Sequence, residues 1–192
     1  MTEYAESIII PRDEVSAMAG LSNRNEELLG YYLAERTSQG LRTIDSIFVA
    51  AADNNTGSVK EQDRQKFKQF VNDYLTLARR DPRFAVLASH VHSRRFGDRI
   101  QSDDPYWSIN GRNAGLPLNT IVDRKFYISG RGGDDTAFES EHTKYGIQYH
   151  LFFHPAPGSE GQIMTHDKVM LTAFKYDPSR LGKVRETEVE IR

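Results

Sequence analysis

The sequence predicts a single α+β domain, similar to an α/β/α sandwich, in which helices flank a mixed β-sheet. The chain has 192 residues, near the typical domain size of about 150, which is enough to bury a core without disulfides. Short apolar runs typical of strands outnumber helical patterns, of which two are clear. Ten Phe and nine Tyr residues supply apolar surface for a core. We find no linker, so residues 1–192 are treated as one domain.

The N-terminal quarter predicts a strand, a helix and a strand pair. Ser7–Ile10 is a β-branched run that ends at Pro11, which opens a helix toward Leu21 with acidic residues in its first turn. Composition alone leaves Glu27–Arg36 open between helix and strand, but its glycine and two tyrosines favour a strand. A polar turn then leads to a partner strand over Thr43–Ala51. This partner is apolar on both faces, which is typical of a central strand.

The clearest helix follows a loop. Ser58 and Glu61 form a capping box, and Asp81-Pro82 ends the helix. Its apolar residues recur at helical spacing on one face: Phe67, Phe70, Val71, Tyr74, Leu77 and Ala78. Phe84–Ser89 is then a buried strand that runs directly into His90-Val91-His92.

The second half of the chain is predicted to contain more loop. The expected elements are a short helix near Asp104–Gly111, a strand pair within Asn119–Ser129, a long surface loop over Arg131–Lys144, strands over Gly146–Phe153 and Lys168–Tyr176, and a tail from Lys183 that either adds an edge strand or frays. His150 and His154 lie four residues apart in one of these strands. Without a Glu between them, we interpret them as packing or solvent-edge residues.

Composition excludes several classes of function. Twenty-five basic and 27 acidic residues give a net charge of −2, which supplies no general attraction to nucleic acid or to an anionic membrane. The absence of cysteine excludes a thiolate nucleophile and Cys-ligated metal, so any metal must bind His, Asp or Glu. No apolar run is long enough to span a membrane, and the apolar run after the acidic start is too short for a signal peptide. We expect a cytoplasmic protein.

The strongest chemical signal is His90-Val91-His92 at the end of a buried strand. Alternate side chains of a strand share a face, so these two imidazoles lie roughly 6.7 Å apart along the chain and can converge on zinc. About 0.2 such pairs are expected by chance, so surface histidines at a strand end remain the alternative for this pair alone. A carboxylate from Asp103 or Asp104 would complete three ligands and leave a fourth position for water. Glu27, at the start of an earlier strand, is the candidate general base.

These residues resemble the pattern of the JAB/MPN metalloproteases, also called JAMM proteins. Glu27-Leu28-Leu29-Gly30 is similar to the family's Glu-x-x-Gly, and His90-Val91-His92 with Asp103 is similar to its metal-binding motif. The order of predicted elements also matches: a strand and helix, the Glu strand, its partner, a long helix and the His strand. Gly115–Val122 and Phe126–Ile128 look like the strand pair that follows the motif. The resemblance covers about residues 6–130 and leaves 131–192 as additional strands and loops.

The resemblance implies a zinc-dependent isopeptidase or peptidase. It implies that Zn²⁺ is held by His90, His92 and Asp103, and that Glu27 is the general base. The substrate would be a protein or peptide with an amide bond, such as a ubiquitin-like conjugate or precursor. No nucleic acid or membrane partner is implied.

The sequence departs from the family pattern at two positions. Ser93 stands where the family usually has Pro, and Ile100 stands where it has the Ser that binds the oxyanion. Ser102 could replace that Ser in a shifted loop, in which case Asp104 becomes the ligand. Asp103 is favoured because its spacing matches without a gap. The alternatives are a catalytically inactive MPN-like protein-binding module and a metal hydrolase of another chemistry.

Overall fold

The computed structural model of the chain describes residues 6–23, 28–50, 61–91, 134–156, 158–159, 161–179 and 184–192. Helices in these ranges are α1 (Arg12–Ser22), α2 (Glu61–Arg80) and α3 (Asp134–Tyr145). The strands are β1 (Ile8–Ile10), β2 (Leu28–Thr37), β3 (Gly40–Ala50), β4 (Phe84–Val91), β5 (Tyr149–Pro155), β6 (Val169–Tyr176), β7 (Val184–Thr187) and β8 (Val189–Ile191).

The eight strands of the described ranges belong to one mixed sheet, in the order β7-β6-β5-β4-β2-β3-β1-β8. The pairs β1/β3, β1/β8 and β4/β5 are parallel, and the other pairs are antiparallel. The two edge strands, β7 and β8, are consecutive in the chain and are separated by Glu188 alone. An extended chain spans only about 3.3–3.6 Å per residue, so the two edge strands of the sheet must lie close together. The sheet therefore curls into a nearly closed, barrel-like form.

The predicted α/β/α sandwich, with helices flanking a sheet, is wrong. More of the described residues lie in strands than in helices, and the curled sheet encloses a core of its own. That core joins six strands and one helix: it contains Ile8, Ile10, Val15, Met18, Tyr32, Leu41, Leu87, Leu151, Phe153 and Ala173. The sandwich prediction left the C-terminal residues open between an edge strand and a frayed tail, so it did not include their closure of the sheet. In the structure they form β7 and β8, which extend both ends of the sheet.

A second apolar cluster lies on the outer face of the sheet, under α2. Val71, Tyr74 and Leu75 of α2 pack with Leu33 of β2 and Val86 of β4. All five side chains are buried, and the four aliphatic ones contribute about 1.5–3 kcal/mol each by their removal from water. This packing fixes α2 across β2 and β4, the strands that carry the predicted motif.

The predicted order of elements in the first half of the chain is confirmed. The first strand and helix, the strand pair, the long helix and the following strand all form, with bounds that shift by up to three residues. The two later strands also form as β5 and β6, and the tail adds strands. The predicted helix at 104–111 and the strand pair at 119–129 lie outside the described residues.

The predicted surface loop over Arg131–Lys144 is wrong, because α3 occupies Asp134–Tyr145. This helix has almost no apolar stripe along its length, so hydrophobic periodicity carried no signal for it. None of the helices in the described ranges combines the length and the apolar character needed to cross a membrane.

Candidate functional site

The antiparallel pairing of β2 with β4 positions the predicted histidine strand beside the predicted glutamate strand. Leu28 pairs with Val91, and Leu29 pairs with His90. Leu28 and Val91 belong to the enclosed core. Since successive side chains of a strand alternate, Leu29 and His90 face the outer side of the sheet. His90 is thus placed on the face that α2 and α3 cover.

Gly30 has a packing reason to be glycine. A Cβ atom built on Gly30 would lie 2.3 Å from Cδ1 of Phe48 and 2.5 Å from the carbonyl oxygen of Ile47. Both distances are far shorter than van der Waals contact, and the carbonyl belongs to the backbone of β3. Gly30, the glycine of the Glu-x-x-Gly segment, therefore lets β2 and β3 approach closely, two residues after the start of β2.

A cavity of about 220 Å³ lies on the outer face beside His90. Its walls come from β2, β3, β4, β5, α2 and α3, and they include Leu29, Tyr31, Phe67, His90, Glu141, His150 and Phe152. Leu29 is 45% exposed, so the cavity is open to solvent near the start of β2. Most of the lining is apolar or aromatic, which is the composition typical of ligand sites.

Glu141 of α3 is held at this cavity by Tyr31 of β2. The Tyr31 hydroxyl lies 2.9 and 3.0 Å from the two carboxylate oxygens and donates its hydrogen bond there. Burial raises the pKa of the Glu141 carboxyl, an effect that the Tyr31 hydrogen bond and the Lys144 charge partly offset. Burial, reinforced by the Glu141 charge, also raises the pKa of the Tyr31 phenol well above its usual value. The phenol therefore stays protonated and remains the donor.

The two described histidines of the cavity differ in their surroundings. His150 is fully enclosed, and burial lowers its pKa to about 3, so its ring is neutral near pH 7. His90 is half-buried, and its ring centroid lies 6.3 Å from that of Phe152. His150 and His154 are 4% and 1% exposed, which agrees with the packing alternative of their prediction and not with the solvent-edge alternative.

His90 is the one predicted site residue that lies within the described ranges. Glu27, His92, Ser102, Asp103 and Asp104 lie outside the described residues, so their convergence on a metal stays a prediction. Within the described ranges, no group of three His, Asp or Glu side chains is arranged to hold a metal ion. Glu141 and His150 accordingly do not form an alternative ligand set with His90.

Sequence reasoning missed Tyr31 and Glu141 of the cavity, and it interpreted His150 as a packing or solvent-edge residue. Asp134 and Asp135, followed by Lys144 ten and nine residues later, do form the charge pattern of a helix, acidic at its start and basic at its end. That pattern could have predicted α3. Nothing local to Glu141 indicates its contact with Tyr31, which is 110 residues away.

Comparison with protein-family models gives no match, and comparison with curated proteins gives no similar sequence. The interpretation of the site therefore depends on its residues and their geometry.

Proposed function

We propose that the chain is a zinc-dependent peptidase or isopeptidase of the JAMM type, which hydrolyses an amide bond in a ubiquitin-like conjugate or precursor. The observation that carries the proposal is the pairing of Leu29 with His90 and of Leu28 with Val91. If this register continues for one more pair, Glu27 becomes the neighbour of His92. By alternation, both would share the face of His90.

One described residue, His90, supports the proposal of a metal site at this place. His90 presents an imidazole, a preferred zinc ligand, on a face with an open cavity. The proposed ligands are His90, His92 and Asp103, with Asp104 as the alternative to Asp103. Zinc bound there would act as a Lewis acid and lower the pKa of a bound water toward about 7.

The residues of the chain then have distinct roles. Glu27 accepts a proton from the attacking water and delivers it to the leaving amine, as a general base and then a general acid. Ile100 has no hydrogen-bond donor in its side chain, so the developing oxyanion needs another one. Ser102, Ser93 or a backbone N–H would serve.

The proposed partner is a protein or peptide substrate, and a ubiquitin-like modifier is the form that the resemblance implies. The cavity is open to solvent near Leu29, which supports a macromolecular substrate, because an extended chain can reach the start of β2 from solvent. The cytoplasm is the proposed compartment.

Two neighbouring glutamates provide the test. The Glu27→Gln and Glu26→Gln variants are purified with zinc, and hydrolysis of a panel of ubiquitin-like substrates is measured for each. We expect Glu27→Gln to retain the metal and the fold and to lose about 10²–10⁴ in rate, because it lacks the general base. Glu26→Gln should hydrolyse like the unchanged protein. An inactive Glu26→Gln beside an active Glu27→Gln would mean that the register of β2 is wrong.

A further inference from the structure

The cavity beside His90 combines aromatic walls with one carboxylate. The Tyr31 and Phe67 rings lie 5.7 Å apart between centroids, and Phe152 also lines the cavity, with its ring centroid 6.3 Å from that of His90. Aromatic faces attract cations through the negative charge of their π systems, and they also accept the apolar stem of an alkyl chain.

Glu141 is the acidic residue among the described residues that line this cavity, and none of those residues is a lysine or arginine. Lys144, in the last turn of α3, is exposed, and its Nζ lies 4.6 Å from the centroid of the Tyr145 ring. His150 is neutral near pH 7. Among the described residues, the lining therefore offers one carboxylate and no lysine or arginine, and the Lys144 charge acts on Glu141 from outside the lining.

The Tyr31 hydroxyl fixes the direction of this charge. It contacts both oxygens of Glu141, so the carboxylate is held in one orientation. A hydroxyl has one proton to donate, whereas two carboxylate oxygens have about four lone-pair sites. Acceptor sites therefore remain for the N–H groups of a ligand, and a ligand with several N–H donors would use them.

We propose that this cavity binds a primary alkylammonium group, with the alkyl stem against the aromatic rings and the ammonium at Glu141. A volume of about 220 Å³ is several times the roughly 30 Å³ share of one water molecule, so a stem of four carbons with its ammonium fits. The ligand could be a free alkylamine or a lysine side chain of a polypeptide. The binding goes beyond the proposed hydrolysis and requires neither turnover nor Glu27.

The test is an NMR titration of the full chain, as purified, with n-butylammonium chloride and with n-butanol, its neutral analogue. We expect n-butylammonium to bind at least about tenfold more tightly and to shift the amide signals of residues around the cavity, such as Leu29 and Glu141. Glu141→Gln should remove this preference. Glu188→Gln, which loses the same charge at an exposed position, should keep it.

Nα-acetyl-lysine methylamide is a second probe that separates the two sources of the ligand. Binding at least as tight as that of n-butylammonium assigns the cavity to a lysine side chain, and weaker binding assigns it to a free amine. Equal binding of n-butanol and n-butylammonium to the unchanged protein would overturn the proposal, even if Glu141→Gln failed to fold. Unchanged binding by a folded Glu141→Gln would overturn it as well. Neither result depends on whether the protein hydrolyses amides.

Discussion

The hydroxyl of Tyr31 on β2 donates a hydrogen bond to the carboxylate of Glu141 on α3, 110 residues further along the chain. The contact joins the strand that pairs with the His90 strand to the helix that forms one wall of the cavity. A phenol against a partly buried carboxylate is a charge-assisted hydrogen bond, which is stronger than a neutral one. It therefore contributes both to the position of α3 and to the shape of the site.

Tyr31→Phe should destabilise the protein by about 1.5–3 kcal/mol, the usual range for a hydrogen bond to a charged group. The ring stays in place against Phe67, so the loss reports the hydroxyl. The measurement is urea unfolding of the unchanged protein, Tyr31→Phe, Glu141→Gln and the double variant. Because the two residues are in contact, we expect their effects not to add. Additive effects would show that the two groups do not interact.

Gly30→Ala should destabilise the protein by about 1–3 kcal/mol, because the added methyl group would collide with Phe48 and with the carbonyl oxygen of Ile47. Gly20→Ala is the matched control. Gly20 lies within α1, and an added Cβ there meets nothing within 4 Å. This change should stabilise the protein by up to about 1 kcal/mol, since Ala favours a helix more than Gly does. Thermal unfolding of both variants checks the prediction, and an unchanged Gly30→Ala melting temperature would contradict it.

The buried His150 should make the protein less stable in acid. Its pKa is about 3 in the folded chain and 6.5 when exposed, so between these values the unfolded chain binds the extra proton. The stability that it contributes is present above pH 6.5 and falls as the pH falls toward 3. Near pH 4.5, about two pH units below the exposed value, the loss is roughly 3 kcal/mol.

The measurement is the free energy of unfolding of the unchanged protein, His150→Gln and His166→Gln near pH 7.5 and pH 4.5. His166 is exposed and serves as the control. His150→Gln should lose less stability than the other two over this interval, whatever its stability at pH 7.5. Equal pH dependence of all three proteins would mean that His150 is protonated in the folded state.

Variants of Asp103 and Asp104 test which of the two aspartates is the third zinc ligand. The two are adjacent, and neighbours on a helical turn differ by about 100° in direction, so if the loop begins to turn into a helix there we expect at most one of them to be a ligand. We expect Asp103→Asn to lose zinc and Asp104→Asn to retain it, as measured by metal analysis. Zinc loss confined to Asp104→Asn would support the shifted loop instead. Ser102→Ala would then be expected to slow turnover by about 10²–10³, the usual cost of losing one oxyanion donor.

Local patterns predicted the elements of the first half of the chain because most of them have a strong signal of their own. The stripe of α2 runs from Phe67 to Ala78 at helical spacing, and the short run Ile8–Ile10 ends at Pro11. Local patterns do not predict how those elements pair. The closure of the sheet depends on β7 and β8, whose contacts are with strands far away in the chain. Short charged segments such as these have no local property that identifies their partners.

In the candidate site, too, local relationships could be predicted from the sequence and long-range contacts could not. His90 was predicted because two histidines with one residue between them share a strand face, which is a local relationship. Glu141 and Tyr31 were missed because their contact depends on how α3 packs on the outer face of the sheet. Gly30 was noticed as part of a motif, but its physical reason is the approach of Phe48 and Ile47 on the next strand.

The central claim, a zinc site built on His90, is tested most directly by the zinc content of the protein purified without chelators. We predict about one zinc per chain in the unchanged protein and in His166→Gln, and much less in His90→Gln, because the change removes one of three ligands. All three proteins should remain folded by circular dichroism. Much less than one zinc per chain in the unchanged protein, or full retention by His90→Gln, would contradict the claim and would favour a catalytically inactive protein-binding module.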